Sequence, residues 1–431
     1  MFNLPGITYS ALQALLLANV ATAWNNGVAK VPPMGFNTYV ISLASRLSRV
    51  KLMCGVISSS SSSRWNRFAC NINEQLIRDT ATQMKNLGFL VAGYQYINID
   101  DCWLTASRTS DGHLIVDSSK FPSGMNNLTS FLHGLGFKAG IYEDLGTKTC
   151  AGFAGSLGHE LTDARDFVAW GFDYTKIDNC NSGSYNGTNA SRFQRWTNAL
   201  TQVKAETGKS LVYTLVEWNS FDAWTWGPNT ANAWRIYDDI QANWGRIKQI
   251  LNQASFIGNY SNFYGHNDLD MLENGNGNLT LAEQRSHFTA WALAKSPLLV
   301  GTDVSKLSND SIQILLNPEI IAINQDTAIG EPLKPFFWGK NPDGTNDPTF
   351  PAQYWSGYYK DTHHTAIMYI NFNEVTVDLN FTLSHSPHLK ADKTYAVRDL
   401  WQHKDIGTAS KFFFSGSIAP HDVRAYIFTE M

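Results

Sequence analysis

Eight short apolar runs, each ending in polar or charged residues and followed by a longer amphipathic segment, predict an α/β chain built on a (β/α)8 TIM barrel. After "INQDTAIGEPLKP" the texture changes to period-two strands separated by turns, which predicts a C-terminal antiparallel β-sandwich domain over 333–431. A length of 431 residues with 43% hydrophobic content is ample for both cores.

The runs, in chain order, are "MGFN", "YQYINID", "FKAGIYED", "FDYTKID", "LVYTLVE", "AWRIYDD", "GHNDLDM" and "PLLVGTD". Between them, "NEQLIRDTATQMKNLGF", "ARDFVAWGF" and "LAEQRSHFTAWALAKS" place apolar residues at helical spacing. Residues at the C-terminal ends of barrel strands face the active site. Those ends carry Asp100, Asp101, Tyr142, Asp178, Glu217, Asp239 and Asp270, so carboxylates dominate the rim. In the second domain "HTAIMYINF", "VTVDLNFTL" and "FFFSGSIAPHDVRAYIFTE" read as strands.

The first 23 residues put the apolar run "ALQALLLANVATA" before Trp24, with small residues at Ala21 and Ala23, and read as a secretory signal. The run is too short to span a bilayer. Glycosylation acceptors at Asn127, Asn186, Asn189, Asn259, Asn278, Asn309 and Asn380 agree with an extracellular destination. The barrel domain then covers 24–332. A net charge of -4 gives no footprint for nucleic acid or an anionic membrane, so the expected partner is a neutral small molecule.

Carboxylates at strand ends suit glycoside hydrolysis, which needs two carboxyl groups flanking the scissile bond. Asp178 in "YTKIDNC" and Asp239 in "WRIYDDI" are the candidates for nucleophile and acid/base. An acidic rim also suits metal ions or solvent. The alternating His266, Asp268 and Asp270 of "HNDLD" raise the same question; a hydrogen-bonded core histidine is the commoner outcome, and no cofactor or metal is expected.

The motifs "PPMGFN", "INIDDCW", "AGIYED", "KIDNC", "EWN", "WRIYDDI", "NDLDML", "SPLLVGTD" and "INQD" resemble, in order and spacing, glycoside hydrolase family 27, the α-galactosidase and α-N-acetylgalactosaminidase group. The resemblance implies a retaining exo-glycosidase for terminal α-linked galactose, with Asp178 as nucleophile and Asp239 as acid/base. It also implies sugar contacts from Phe36, Asp100, Asp101, Tyr142, Lys176, Arg235, Asp270 and Met271, with Asp100 and Asp101 on the 4- and 6-hydroxyls. Phe36 stands where the family has Trp. Glu217 matches the acid that meets the 2-hydroxyl and would reject an N-acetyl group. Val216 and Ser220 depart from the family's usual pocket residues. α-N-Acetylgalactosaminides and β-L-arabinopyranosides are the alternative substrates. Physically, Lys176 should favour an ionised Asp178, and Asp239 needs a raised pKa, to which adjacent Asp238 could contribute.

One stretch interrupts the resemblance. The family expects a Trp-Asn pair directly after Asn37-Thr38, but here Tyr39–Arg64, with serines from Ser58 to Ser63, intervenes. Its residues can be encoded with a splice donor across Thr38–Val40, a branch-like string at Leu52–Met53, a pyrimidine tract in the serines and an acceptor at Arg64. We read it as a retained intron; the competing reading is a low-complexity loop at the active-site mouth, which could leave the chain inactive. Without Cys54, four cysteines remain and allow three pairings. The resemblance implies Cys70 with Cys102 and Cys150 with Cys180.

Overall fold

A computed structural model describes residues 23–38, 70–181, 187–218 and 222–431. The signal segment up to residue 22, the 39–64 stretch, Asn186 and Ser220 lie outside them. The strands of the first domain are β1 (Met34–Asn37), β2 (Tyr96–Ile99), β3 (Leu104–Arg108), β4 (Leu114–Val116), β5 (Lys138–Asp144), β6 (Tyr174–Asp178), β7 (Val212–Leu215), β8 (Ala233–Arg235), β9 (His266–Asp268) and β10 (Leu298–Val300). All but β3 and β4 form one parallel sheet in the order β10-β1-β2-β5-β6-β7-β8-β9. Leu272 bridges Val300 in parallel, and its N–H donates to Leu299 at 2.8 Å, which closes the barrel. The β3–β4 hairpin was not visible as a separate unit in the sequence.

Around the sheet run α1 (Glu74–Asn86), α2 (Gly124–Leu135), α3 (Glu160–Ala169), α4 (Asn189–Thr207), α5 (Ala223–Trp226), α6 (Trp244–Ile257), α7 (Leu281–Leu293), α8 (Asn309–Leu315) and α9 (Pro318–Asn324). Asn73 starts α1 by accepting from the Leu76 N–H, and Ile77, Thr80, Ala81 and Met84 form its buried face at helical spacing. Thr280 and Glu283 form a capping box at the start of α7. That helix buries residues all round, because the C-terminal domain covers the side that the barrel does not.

The second domain contains β11 (Lys334–Phe337), β12 (Tyr354–Tyr359), β13 (Asp361–Ile370), β14 (Val377–Thr382), β15 (Thr394–Asp399), β16 (Lys404–Ser410), β17 (Phe412–Ile418) and β18 (Val423–Glu430), all paired antiparallel. A separate aromatic core that includes Tyr354, Phe381, Phe413 and Phe428 fills it. Arg285 of α7 forks onto Asp422 at 3.0 and 2.8 Å, and Arg398 of β15 forks onto Glu319 of α9 at 2.7 and 2.9 Å. These bidentate pairs fix one domain against the other.

The flanks of the 39–64 stretch converge. Thr38 accepts from the Asp100 N–H through its hydroxyl at 2.8 Å, while Cys70 is bonded to Cys102 with 5.3 Å between their Cα atoms. A chain without Tyr39–Arg64 would have Trp65–Ala69 to join these points. Six Cα steps reach roughly 20 Å, enough to round a strand end of this size.

Candidate active site

The sequence places the candidate carboxyls at strand ends, but several sit in the loops just beyond. Strand β2 ends at Ile99, so Asp100 and Asp101 occupy the turn that follows, where Cys102 takes φ 78°. That left-handed residue is strained for a side chain with Cβ, and the Cys70–Cys102 disulfide holds it. The turn sends the two acids in different directions. Asp100 accepts from the Lys176 ammonium at 2.8 Å; Asp101 accepts from the Cys102 and Ala151 N–H groups at 2.7 and 2.8 Å.

Strand β5 contributes Tyr142, whose hydroxyl donates to Asp178 at 3.1 Å and lies 3.0 Å from the Cys150 sulfur. Asp178 closes β6 and takes a second bond, from its neighbour's N–H at Asn179, at 2.8 Å. The Cys150–Cys180 disulfide joins the loops after β5 and β6, with its Cys150 sulfur 3.2 Å from Asp178. Gly146 makes this approach possible, since a Cβ there would overlap the Asn181 carbonyl. Asn179 donates its amide to both oxygens of Glu217, at 3.3 and 3.0 Å, and Glu217 is fully buried.

The far wall comes from β8 and β9. Strand β8 ends at Arg235, so Asp239 lies four residues past it, 32% exposed and paired with Arg235 at 2.9 Å. The same guanidinium reaches Asp270 at 2.7 Å. Asp270 itself follows β9 in a turn with φ 78° and accepts from the Ile240 and Met271 N–H groups, both at 2.8 Å. Phe36 and Met271 are buried in the same barrel, Phe36 level with Ile97 and Val300 and Met271 against Gly301.

Burial dominates the electrostatics. It pushes Asp178 up to about 7, against the pull of Lys176 and reinforced by Asp239. Lys176 does favour the ionised form of Asp178, as expected, but its direct partner is Asp100, and desolvation outweighs its attraction at Asp178. Burial likewise lifts Glu217 to about 7 and Asp101 to about 6. Lys176 stays above the usual ammonium range although burial opposes it, because Asp100 and Asp178 face it. Asp238 is exposed to solvent.

Asp144 is the site acid that sequence reasoning missed. It shares a face of β5 with Tyr142, accepts from the Gly146 and Cys180 N–H groups at 2.7 Å each, and is fully buried. The i, i+2 spacing in "YED" was the available signal. Burial and the Asp178 charge raise it to about 8. Asp144 and Asp178 cluster with Cys150 and Cys180 at metal-ligand distances, but both sulfurs are committed to the disulfide. His266 is a core residue that donates its Nε2–H to the Ala29 carbonyl at 3.0 Å; burial lowers it to about 4.

A pH dependence of stability follows. Burial pushes Asp101, Asp144, Asp178, Glu217 and Asp268 up in the folded state, to about 6, 8, 7, 7 and 6. Unfolded, they release their protons near pH 4. At these carboxyls the folded state binds more protons between about pH 4 and about pH 8, and their contribution to stability falls as pH rises through that window. Buried His266 and His287, lowered to about 4 and about 3, act in the opposite sense below about pH 6.5, so the Tm should decline between about pH 6.5 and pH 8. Asp144→Asn should flatten the alkaline end of the decline, read by calorimetry as slope and not as absolute Tm; an unchanged slope would count against the burial argument.

The family model described as "Alpha galactosidase A" matches residues 54–326, and that described as "Alpha galactosidase C-terminal beta sandwich domain" matches 349–428. A Penicillium simplicissimum protein named "Probable alpha-galactosidase B" is 36% identical over 461 aligned residues, covering 99% of each chain. The crystal structure of α-galactosidase I from Mortierella vinacea superposes with a TM-score of 0.80 at 32% identity, covering 94% of this chain and 98% of that one. An α-galactosidase from Saccharomyces cerevisiae, solved with raffinose, gives 0.78 at 28% identity over 94% and 99%. With both domains matched and full-length relatives above 30% identity, this chain belongs to the alpha-galactosidase A family, glycoside hydrolase family 27.

Proposed function

We infer that the chain is a retaining exo-glycosidase that hydrolyses terminal α-D-galactosides, with Asp178 as nucleophile and Asp239 as acid/base. The observation that carries the roles is the contrast between the two carboxyls. Asp178 is buried and aimed by two hydrogen bonds from Tyr142 and Asn179. Asp239 is partly exposed, where a departing aglycone and an incoming water can reach it.

In the first step an Asp178 oxygen attacks the anomeric carbon, the bond to the aglycone oxygen breaks, and Asp239 gives that oxygen its proton. In the second, Asp239 takes a proton from water, the hydroxyl adds to the anomeric carbon, and Asp178 leaves as carboxylate. Two inversions retain the α configuration. Arg235 lies 2.9 Å from Asp239 and favours its ionised form, so the proton that Asp239 must deliver is favoured by substrate, which excludes water from the carboxyl. Tyr142 and Asn179 disperse the charge on Asp178 when it departs.

Galactosides are the substrates that this reading supports, and the raffinose-bound relative fits it. Glu217 favours galactose over N-acetylgalactosamine: it is fully buried, and an acetamido group would both displace it and strip its partner Asn179. Glu217→Ser should lower kcat/KM on an aryl α-galactoside and raise it on the matching α-N-acetylgalactosaminide. A fall on both substrates alike would remove Glu217 from the specificity pocket. Two disulfides support export to an oxidising compartment, and no helix among the described residues is long and apolar enough to cross a membrane.

The test of the function is the anomer first released from an aryl α-galactoside, followed by NMR, with chains that contain and lack Tyr39–Arg64. α-Galactose from either form supports the reading. β-Galactose would overturn the retaining mechanism, and no turnover by both forms would overturn the activity.

A further inference from the structure

We propose that Asn380 carries an N-linked glycan whose first N-acetylglucosamine lies over Phe412 and Phe414, covering an apolar strip at the end of the C-terminal sheet. The proposal goes beyond the galactosidase reading and does not depend on it.

Asn380, Phe381 and Thr382 form an N-x-T acceptor on β14. Strand β14 pairs antiparallel with β17, setting Asn380 opposite Phe414, Phe381 opposite Phe413 and Thr382 opposite Phe412. Directly opposed residues share one face of a sheet, with Cβ atoms about 5 Å apart. Phe381 and Phe413 point inward, buried with ring centroids 6.2 Å apart. The alternation therefore puts Asn380, Thr382, Phe412 and Phe414 together on the solvent side. Asn380 is exposed there, and the two outer rings are 50% and 55% exposed.

Two exposed phenylalanines on β17, beside the end strand β14, need an explanation in a β domain, because a bare edge invites pairing with another copy. Edges are usually blunted by Lys or Pro, whereas β14 has neither. A sugar at Asn380 starts one side chain away from Phe414. A pyranose presents an apolar C–H face that stacks on aromatic rings, and its bulk blocks edge-to-edge approach. Attachment forms a bond from the Asn380 amide nitrogen to C1 of N-acetylglucosamine. The donor is a lipid-linked oligosaccharide diphosphate: its C1–O bond breaks, the lipid diphosphate leaves, and the amide loses one proton.

The full chain secreted from a eukaryotic host should yield an Asn380 peptide bearing N-acetylglucosamine after glycans are trimmed to their first sugar. Asn380→Gln should abolish that mass, leave kcat on an aryl α-galactoside unchanged, and raise self-association in light scattering several-fold. Adding Phe412→Thr and Phe414→Thr should return association to the wild-type level. Should Asn380→Gln not be secreted, the folded wild type can be compared after trimming to one sugar and after complete enzymatic deglycosylation. Only the latter should associate. An unmodified Asn380 in the secreted protein overturns the proposal, as does equal association with and without the first sugar.

Discussion

Asp178→Asn should lower kcat on an aryl α-galactoside by about four to six orders of magnitude, the scale seen when a covalent nucleophile is removed. The amide keeps the shape of the side chain and can still accept from Tyr142 or the Asn179 N–H, so folding should survive. Stability supplies an independent sign. Burial raises the native carboxyl to about 7, so above that pH the ionised form opposes folding. The variant should therefore match or exceed the wild type in Tm at pH 8 while being inactive. An activated 2-fluoro-galactoside should label the peptide that contains Asp178 in the wild type alone. Turnover within about tenfold of wild type, or a label elsewhere, would remove the nucleophile assignment.

Asp239→Asn separates the two steps of the reaction. On an aryl galactoside with a good leaving group, bond cleavage needs little proton transfer, so the galactosyl-enzyme should form and then wait. A burst of phenol should precede a steady state slowed by about 10²–10⁴-fold, the usual value of general acid–base catalysis. Azide needs no base and should restore turnover, giving α-galactosyl azide. A galactoside with a sugar leaving group should lose the first step as well and show no burst. Arg235 keeps its 2.7 Å partner Asp270 in this variant, so no buried cation is stranded and folding should hold. Equal losses on both substrates without azide rescue would take the acid/base role from Asp239.

How much of this was legible beforehand depends on which physical signal each residue carries. The eight runs marked every strand of the barrel, most of them because a strand buried on both faces is largely apolar; β9, His266–Asp268, is buried but polar and was marked by its position in the βα rhythm. Helices α1 and α7 were legible from apolar residues at helical spacing, whereas their capping by Asn73 and Thr280 emerged from the structure. Asp144 escaped although it stands two residues from Tyr142, since periodicity tells which face a side chain takes but not that the neighbouring loop returns to cover it. The distance of Asp239 from its strand escaped for a related reason: β8 stops at Arg235, where the Arg235 side chain turns to bridge Asp239 and Asp270.

The sequence alone determined the architecture, the identity of the acidic rim and, through its ordered motifs, the family. Those properties are carried by local hydrophobic patterning and by residue types at fixed spacing, both readable along one dimension. Only the tertiary structure decided which acid each base serves and what that does to protonation. Lys176 lies two residues from Asp178 in the chain yet bonds Asp100, 76 residues away. Asp178 is governed less by that charge than by the water the folded barrel excludes from it. Desolvation and pairing depend on the distance between groups in space, and that distance is set only when the strands close on one another.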